Sequence, residues 1–495
     1  MKKTITLLLL AALLSSTAAS FASCGGAEDT KTPADTTNPA ADSEQAETEP
    51  VDPRQLVSDD LPEKDYTGRK FRFMLRQGLE YEFDVAEADG DTMNDAIYNR
   101  NLKIAERYGV EFETTAVSAG WNEGVFNKAI STSVTAGDNA YDLVCGYMCD
   151  ITPTITQGIY INWYDIPHVN LEKPWWSALM TEAFTINDRI YMITGDLALS
   201  FWEMMNGIGF NKAVAAAHDL EDMYKIVDEG KWTFDFMEAI SKEVAKDLNG
   251  DSVWDKSDMY GWTSNFSTGI DAMKEAFGLS IIEKDEKGLP HFTVTTDKTV
   301  AVLDRVGSFF KNHYGFMAEA NMDNDANLMF SEDRALFLAF RMEVVTDLRE
   351  MDTDFGIIPY PKWDEAQETY GSTVQDGATV FLVPQTIDDP EFVGIITEAM
   401  AAESYKSVVP AYYDVVLKTK SSRDEDSARM IDLIRDTVKI DFGYIHSTAL
   451  EGAGHLFVNQ VRNYTSTIAS AFKGIEKAAQ KKLDQIVEFY YRDEE

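Results

Sequence analysis

The chain has 495 residues, with 84 Asp and Glu against 44 Lys and Arg, a formal net charge of -40 and 44% hydrophobic residues. This acidic excess argues against nucleic acid or an anionic lipid surface as partner, because both require basic protein surface. The 3 Cys and 6 His are too few and too scattered for a disulfide framework, an HExxH motif or a paired-histidine zinc pattern.

Residues 1–23 read as an export signal. Lys2 and Lys3 precede an apolar run from Ile5 to Leu14 that is too short to span a bilayer, and small residues follow. The tract Phe21-Ala22-Ser23-Cys24 resembles a bacterial lipoprotein cleavage box, with Phe21 standing where an aliphatic residue is usual. Cys24 is therefore expected to become the acylated first residue of a membrane-anchored, extracytoplasmic protein. Ordinary signal cleavage nearby, leaving Cys24 a free thiol, is the alternative. Residues 24–65 are expected to form a disordered acidic tether: Gly25 to Asp65 holds 3 basic and 12 acidic residues and too little apolar surface to offset chain entropy.

Beyond the tether, strands alternate with helices. Lys70 to Gln77 alternates apolar and polar residues as a strand, and a helix with Met93, Ile97, Ile104 and Tyr108 on one face follows Asp91. Ala140 to Tyr147 reads as a buried parallel strand, completing a βαβ unit. It carries Cys145, and Cys149 follows four residues later; two packed free thiols are expected rather than a local disulfide. Further strands are expected at RIYMITGD, GIGFNK, RALFLAF, DFGIIPYP and ATVFLVPQT. Helices are expected at Phe234 to Lys246, Thr299 to His313, Asp389 to Glu403 and Thr465 to Tyr491.

The stretch DLNGDSVWDKSD places Asp247, Asn249, Asp251, Asp255 and Asp258 at positions 1, 3, 5, 9 and 12 of a loop, the spacing of a calcium site. Two features depart from it. Gly250 stands at position 4 and Ser252 at position 6, where the sharp turn wants Gly, and Asp258 replaces the longer Glu at position 12. The two readings are a weak structural Ca²⁺ site and a hydrophilic turn of Asx residues.

The order of GDTMNDAIYNRN, AGDNAYDLV, LEKPWW, NDRIYMITGDL, GFNK, DLNGDSVWDKSDMYGW, DFGIIPYPKWDE and PAYYDVVLKTKSSRDEDS resembles the extracellular solute-binding lipoproteins of bacterial ABC importers, the sugar-binding branch related to maltose-binding protein. The resemblance implies an α/β, two-lobed periplasmic-binding-protein-like fold with several hinge crossings around a ligand cleft. It implies lobe 1 at 66–198 and 336–385 and lobe 2 at 199–335 and 386–495, with crossings near ITGDLALSFWE and FLAFRM and after FLVPQT. It also implies a monomer without catalytic residues or required cofactor, which captures a mono- or oligosaccharide and delivers it to separate permease subunits.

Sugar recognition needs aromatic faces for the C–H side of a pyranose and planar polar groups that fork to adjacent hydroxyls. Trp202 and Glu203 follow the first expected hinge, and Arg341 ends RALFLAF at the second. Tyr147 and Asp150 lie just past the carboxyl end of a parallel strand, where open α/β sheets bind ligands. Asp376 sits in an Asp-Gly turn feeding the third crossing, and Trp262 ends DMYGW. Each has a structural alternative: core packing for the tryptophans, an ordinary turn for Tyr147, Asp150 and Asp376, and a protein carboxylate partner for Arg341. A carbohydrate-active enzyme, a receptor for peptides or other solutes, and a structural adhesin are the competing functions. No nucleophile elbow, metal cluster or phosphate loop favours chemistry.

Overall fold

The computed structural model describes residues 52–220, 222–319, 324–417 and 425–492. The expected export signal, Cys24 and the expected tether up to residue 51 lie outside them. The last part of the expected tether is packed: Pro53–Leu56 forms a short 3-10 helix, the Gln55 amide donates to the Lys406 carbonyl at 2.6 Å, and Asp59 and Asp60 pair with Arg107 and Lys173. These ion pairs offset the poor apolar content of residues 52–65, which are packed against the folded body instead of forming part of a disordered tether.

The strands are β1 (Lys70–Arg76), β2 (Glu111–Val117), β3 (Leu143–Tyr147), β4 (Asn206–Asn211), β5 (Tyr260–Ser264), β6 (Ile282–Lys284), β7 (Pro290–Phe292), β8 (Gly315–Met317), β9 (Ala335–Arg341), β10 (Phe355–Ile358), β11 (Ser372–Thr373), β12 (Thr379–Leu382) and β13 (Val438–Lys439). They build two main sheets, one per lobe. Lobe 1 has the order β12-β3-β1-β2, with β1 parallel to both β2 and β3 and β12 antiparallel to β3. Lobe 2 has the order β10-β4-β9-β5-β8, mixed in direction, with β5 parallel to β8 and β9.

Local chemistry explains the elements well. The helix Thr92–Tyr108 starts where the Asp91 carboxylate accepts the Met93 and Asn94 amides at 2.9 and 3.0 Å, and it stops at Gly109, whose φ of 70° is the left-handed turn that ends helices. Its Ile97, Ile104 and Tyr108 are buried, and Met93 packs at the core's edge. Cys145 and Cys149 are free and buried.

One expected strand is absent. RIYMITGD forms only isolated bridges, Arg189 to Ile186, Ile193 to Phe381 of β12 and Gly195 to Trp176, and at Gly195 the backbone is pressed so closely onto the Trp175 carbonyl that a Cβ there would lie 2.1 Å from it.

The division between lobes also differs from the expectation. β9 is hydrogen-bonded between β4 and β5, and β10 pairs with β4, so 335–358 belongs to lobe 2 and the chain does not cross at Arg341. It returns between β11 and β12. The helix Pro390–Glu403 then covers lobe 1, with Phe392 edge-on to Tyr66 and Phe71 at 4.8 and 5.7 Å, so residues 390–403 are lobe 1 and not lobe 2. A run of apolar residues marks a buried strand, but nothing local in it says which sheet will take it. The last helix, Ile468–Tyr491, touches both lobes: Phe472 packs on Phe292 of β7, and the Tyr490 carbonyl accepts from Asn187.

Candidate functional site

Three stretches of backbone meet where the lobes join, and their hydrogen bonds hold the side chains of interest. The short helix Leu199–Glu203 carries the chain out of lobe 1. Its end is stitched to the other two: the Glu203 carbonyl accepts from Glu343 N at 2.9 Å, the Met204 carbonyl from Gln375 N at 2.9 Å, and the Met205 carbonyl from Met342 N at 3.0 Å. Glu203, Arg341 with Glu343, and Gln375 with Asp376 are thereby neighbours, though up to 173 positions apart in sequence.

Lobe 1 adds its own groups at the carboxyl ends of β1 and β3, the end at which α/β sheets bind ligands. Arg76 ends β1, donates to the Gly377 carbonyl and to Thr379 Oγ1, both at 2.7 Å, and lies over the Tyr147 ring at 5.2 Å. Buried Glu82 accepts from Ser200 N and from Thr379 Oγ1, each at 2.6 Å, which fixes the segment after β1 to the first crossing. Its neighbour Tyr81 donates its phenol to Glu203 Oε2 at 2.6 Å. Tyr147 begins the helix Met148–Ile155, and Asp150 in its first turn accepts Asn122 N at 2.6 Å.

That bond anchors the loop 118–124. Glu123 braces it by accepting Ser118 Oγ at 2.7 Å and Gly120 N at 3.1 Å, which leaves Trp121 61% exposed beside Asp150. An aromatic face held in water on a braced loop at the sheet's carboxyl end is available for stacking.

Four carboxylates here, Glu203, Asp376, Asp271 and Asp150, are held above their ordinary range. Burial pushes Glu203 up to about 7, the Tyr81 phenol opposes this, and Glu82 and Glu343 reinforce it. Burial likewise lifts Asp376 to about 6, against the Cys149 thiol and with the added repulsion of Asp150. Asp271, on the lobe 2 helix Phe266–Ala276, is raised to about 7 by burial and by Asp376; it accepts the Tyr444 hydroxyl at 3.3 Å. Asp150 is raised by burial as well. Arg341 donates to Gln375 Oε1 at 3.2 Å and pairs with Glu343, while Gln375 Nε2 donates to Asp376 Oδ1 at 2.9 Å.

Of the residues singled out by sequence, Tyr147, Asp150, Glu203, Arg341 and Asp376 converge at this junction. Trp202 and Trp262 do not. Trp202 is 1% exposed, donates its indole N–H to Asp196 at 3.1 Å and packs edge-on to Tyr413 at 5.3 Å. Trp262 is buried in lobe 2 edge-on to Phe310 at 5.4 Å. Trp175 and Trp176 both donate their indole N–H to buried Glu398, at 3.1 and 2.9 Å. Sequence reasoning missed Tyr81, Trp121, Glu343, Gln375, Asp271 and Tyr444. Only Trp121 carried a signal, a lone aromatic between Gly120 and Gly124 in a polar loop.

The aspartate-rich loop lies in lobe 2, away from these groups. Asp247 accepts Gly250 N and Ser252 N at 2.6 and 2.9 Å, Asn249 accepts Asp251 N at 2.9 Å, Asp251 accepts Val253 N at 2.7 Å and Asp255 accepts Ser257 N at 2.7 Å. Asp258 is fully buried and accepts Leu248 N and Asp255 N, both at 3.0 Å. These are Asx turns, each oxygen turned toward its own backbone. Among the described residues no group of three or more His, Cys, Asp or Glu side chains is placed to hold a metal ion. Among them, too, no helix is long and apolar enough to cross a membrane.

No protein-family model and no curated protein matches the sequence. Solved structures do match the fold. A sugar transporter protein from Rhizobium etli in an open conformation superposes with a TM-score of 0.55 at 13% identity, covering 86% of this chain and 100% of that one. The extracellular solute-binding protein from Staphylococcus aureus in complex with maltose gives 0.54 at 12% identity, covering 88% and 100%. UspC from M. tuberculosis gives 0.55 at 10% identity, covering 83% and 100%. With two α/β lobes, several chain passes between them and coverage of the full length of these proteins, the chain has the two-lobed fold of the periplasmic solute-binding proteins.

Proposed function

We propose that the protein is an extracytoplasmic receptor of an ABC importer, tethered through an acylated Cys24, that captures a carbohydrate between its lobes and passes it unchanged to permease subunits in the membrane. The observation that carries this reading is the junction itself. Three stretches of backbone and the ends of β1 and β3 bring carboxylates, a guanidinium and a carboxamide together with the phenol of Tyr81 and the exposed face of Trp121. That is the mixture of forked polar groups and stacking surface that a polyhydroxylated ring requires. The solved structures support it in kind: one was obtained with maltose and another is described as a sugar transporter. The groups at the junction lie on both lobes, so a ligand bridging them stabilises the closed arrangement.

The test is a thermal-shift and calorimetric screen of the full chain against mono- and oligosaccharides, with the ligand recovered afterwards. At 100-fold excess over its Kd a bound ligand adds about 2.7 kcal/mol of stability, which is readily seen as a higher melting temperature. A sugar that binds and is recovered intact supports the receptor. A hit that is consumed would transfer the case to a hydrolase, and a response only to peptides would keep the receptor and change its solute.

A further inference from the structure

We propose that the solute held between the lobes carries an amine that is protonated at neutral pH, an amine-bearing saccharide in preference to a neutral one. The inference rests on the receptor reading above and narrows it.

Charges at the junction do not balance. Arg341 is taken by Glu343, and Arg76, already donating to Gly377 and Thr379, faces Glu82. Lys274 is bound to Glu275 at 2.6 Å. Among the described residues Glu203, Asp376, Asp271 and Asp150 have no ion-pair partner; their side-chain oxygens accept only from Tyr81, Gln375, the Cys149 thiol, Tyr444 and the Asn122 amide. Two of these carboxylates are nearly inaccessible, Asp376 at 5% and Asp271 at 9% exposure. Asp376 is repelled by Asp150 and repels Asp271, while Glu203 is crowded by Glu82 and Glu343. Arg341, Lys274 and Arg76 pull on Asp376, Asp271 and Asp150 without forming an ion pair with any of them.

A second observation points to an occupant. The hydroxyl of Tyr412 is buried at 5% exposure and has no hydrogen-bond partner, although it stands in the field of Glu203 and Glu343. An unpaired buried hydroxyl beside carboxylates calls for a partner, and a ligand group entering between them would supply one. Tyr81, Tyr147 and Tyr444 supply further ring faces around the same carboxylates.

An ammonium fits these features together. It brings the missing positive charge, its three N–H donors can be shared among carboxylates and a tyrosine oxygen, and aromatic faces attract it. Neutral sugar hydroxyls can also donate to carboxylates. They would leave several like charges desolvated as the lobes close, which burial makes costly.

The test titrates the full chain with four probes: a glucosamine tetramer, its fully N-acetylated counterpart, maltotetraose and spermidine. The expected result is binding of the glucosamine tetramer at least tenfold tighter than its N-acetylated form, with Glu203→Gln or Asp376→Asn cutting that preference at least threefold while both variants still melt cooperatively. Equal or tighter binding of the N-acetylated or malto-oligosaccharide overturns the inference and leaves the carbohydrate receptor standing. Binding of spermidine alone supports a cationic solute and overturns the carbohydrate reading. Binding of none of the four at millimolar concentration overturns both.

Discussion

Tyr81 and Glu203 are joined by a 2.6 Å hydrogen bond, the phenol donating to the carboxylate, and with the bond from Ser200 N to Glu82 it ties the segment after β1 to the first crossing between lobes. Tyr81 is 37% exposed and the Glu203 carboxylate lies beside Glu82 and Glu343. Tyr81 therefore does two things: it holds the crossing and it satisfies a carboxylate that burial would otherwise leave costly. Tyr81→Phe should lower stability by about 1.5 kcal/mol, the low end for a hydrogen bond to a charged group because Tyr81 is partly exposed. It should also weaken solute binding. Denaturant midpoints and titrations of the variant check both, and a variant with unchanged midpoint and unchanged affinity would show that the bond matters to neither.

Two tryptophans should respond in opposite ways. Trp202 is enclosed by Asp196, Tyr413 and the Arg435 guanidinium, 5.6 Å from its ring, so Trp202→Ala should cost roughly 3–5 kcal/mol of stability by opening a cavity. Trp121 is exposed, so Trp121→Ala should leave the melting temperature within a degree or two. It should weaken saccharide binding about tenfold if the ring stacks on ligand, in line with roughly 1.5 kcal/mol for an aromatic contact. Melting and affinity measured on the same two variants separate the roles. A destabilised Trp121→Ala or a fully stable Trp202→Ala would reverse the assignment.

How far such roles can be read from sequence depends on what local pattern encodes. The helix Thr92–Tyr108 was legible because its cap, its apolar face and its terminating glycine are all local. The lobe that takes β9 was not legible, since membership in a sheet is decided by residues far along the chain. Trp202 and Glu203 show the same limit at the site. They are adjacent, but consecutive helical residues point about 100° apart, so one enters the core while the other faces the junction. Asp376 was recoverable as a turn residue, whereas Gln375, Asp271 and Tyr444 have ordinary sequence surroundings and gain their meaning only from assembly.

The aspartate-rich loop should behave as a set of turns. Asp258→Ala removes the acceptor of two backbone N–H groups from a fully buried position and should destabilise by about 2 kcal/mol. Asp251→Ala, at an exposed position with one such bond, should cost much less. The native protein should melt at the same temperature in chelator and in millimolar Ca²⁺. A Ca²⁺-dependent rise in melting that Asp251→Ala abolishes would instead establish the calcium reading.

The anchoring proposal has its own test, independent of the cleft. Expressed in a bacterium with its signal, the protein should partition into detergent with the membrane fraction, and Cys24→Ser should release it. Retention of the Ser variant in the membrane fraction would sink the assignment of Cys24.

Stability should fall as pH rises across neutrality. Glu398 is fully buried between the indoles of Trp175 and Trp176, and burial raises its carboxyl from an ordinary 4.5 to about 7 against the pull of those two N–H donors. Glu203 and Asp271 are raised to about 7 as well, and Asp376 to about 6. For a carboxyl whose folded pKa lies above its unfolded one, the folded state binds the extra proton. Its contribution is fully present below about 4.5 and is lost as pH rises through the folded value, here near 7. For Glu398 the span corresponds to roughly 3 kcal/mol, an upper figure because the carboxylate keeps two indole donors when charged. The unliganded protein should therefore melt higher at pH 5.5 than at pH 8. Glu398→Gln, which carries no charge to bury, should flatten part of that slope while leaving the melting temperature at pH 5.5 nearly unchanged. A melting temperature that rises from pH 5.5 to pH 8, or a slope that Glu398→Gln leaves intact, would mean that these carboxyls are charged and compensated in the folded protein.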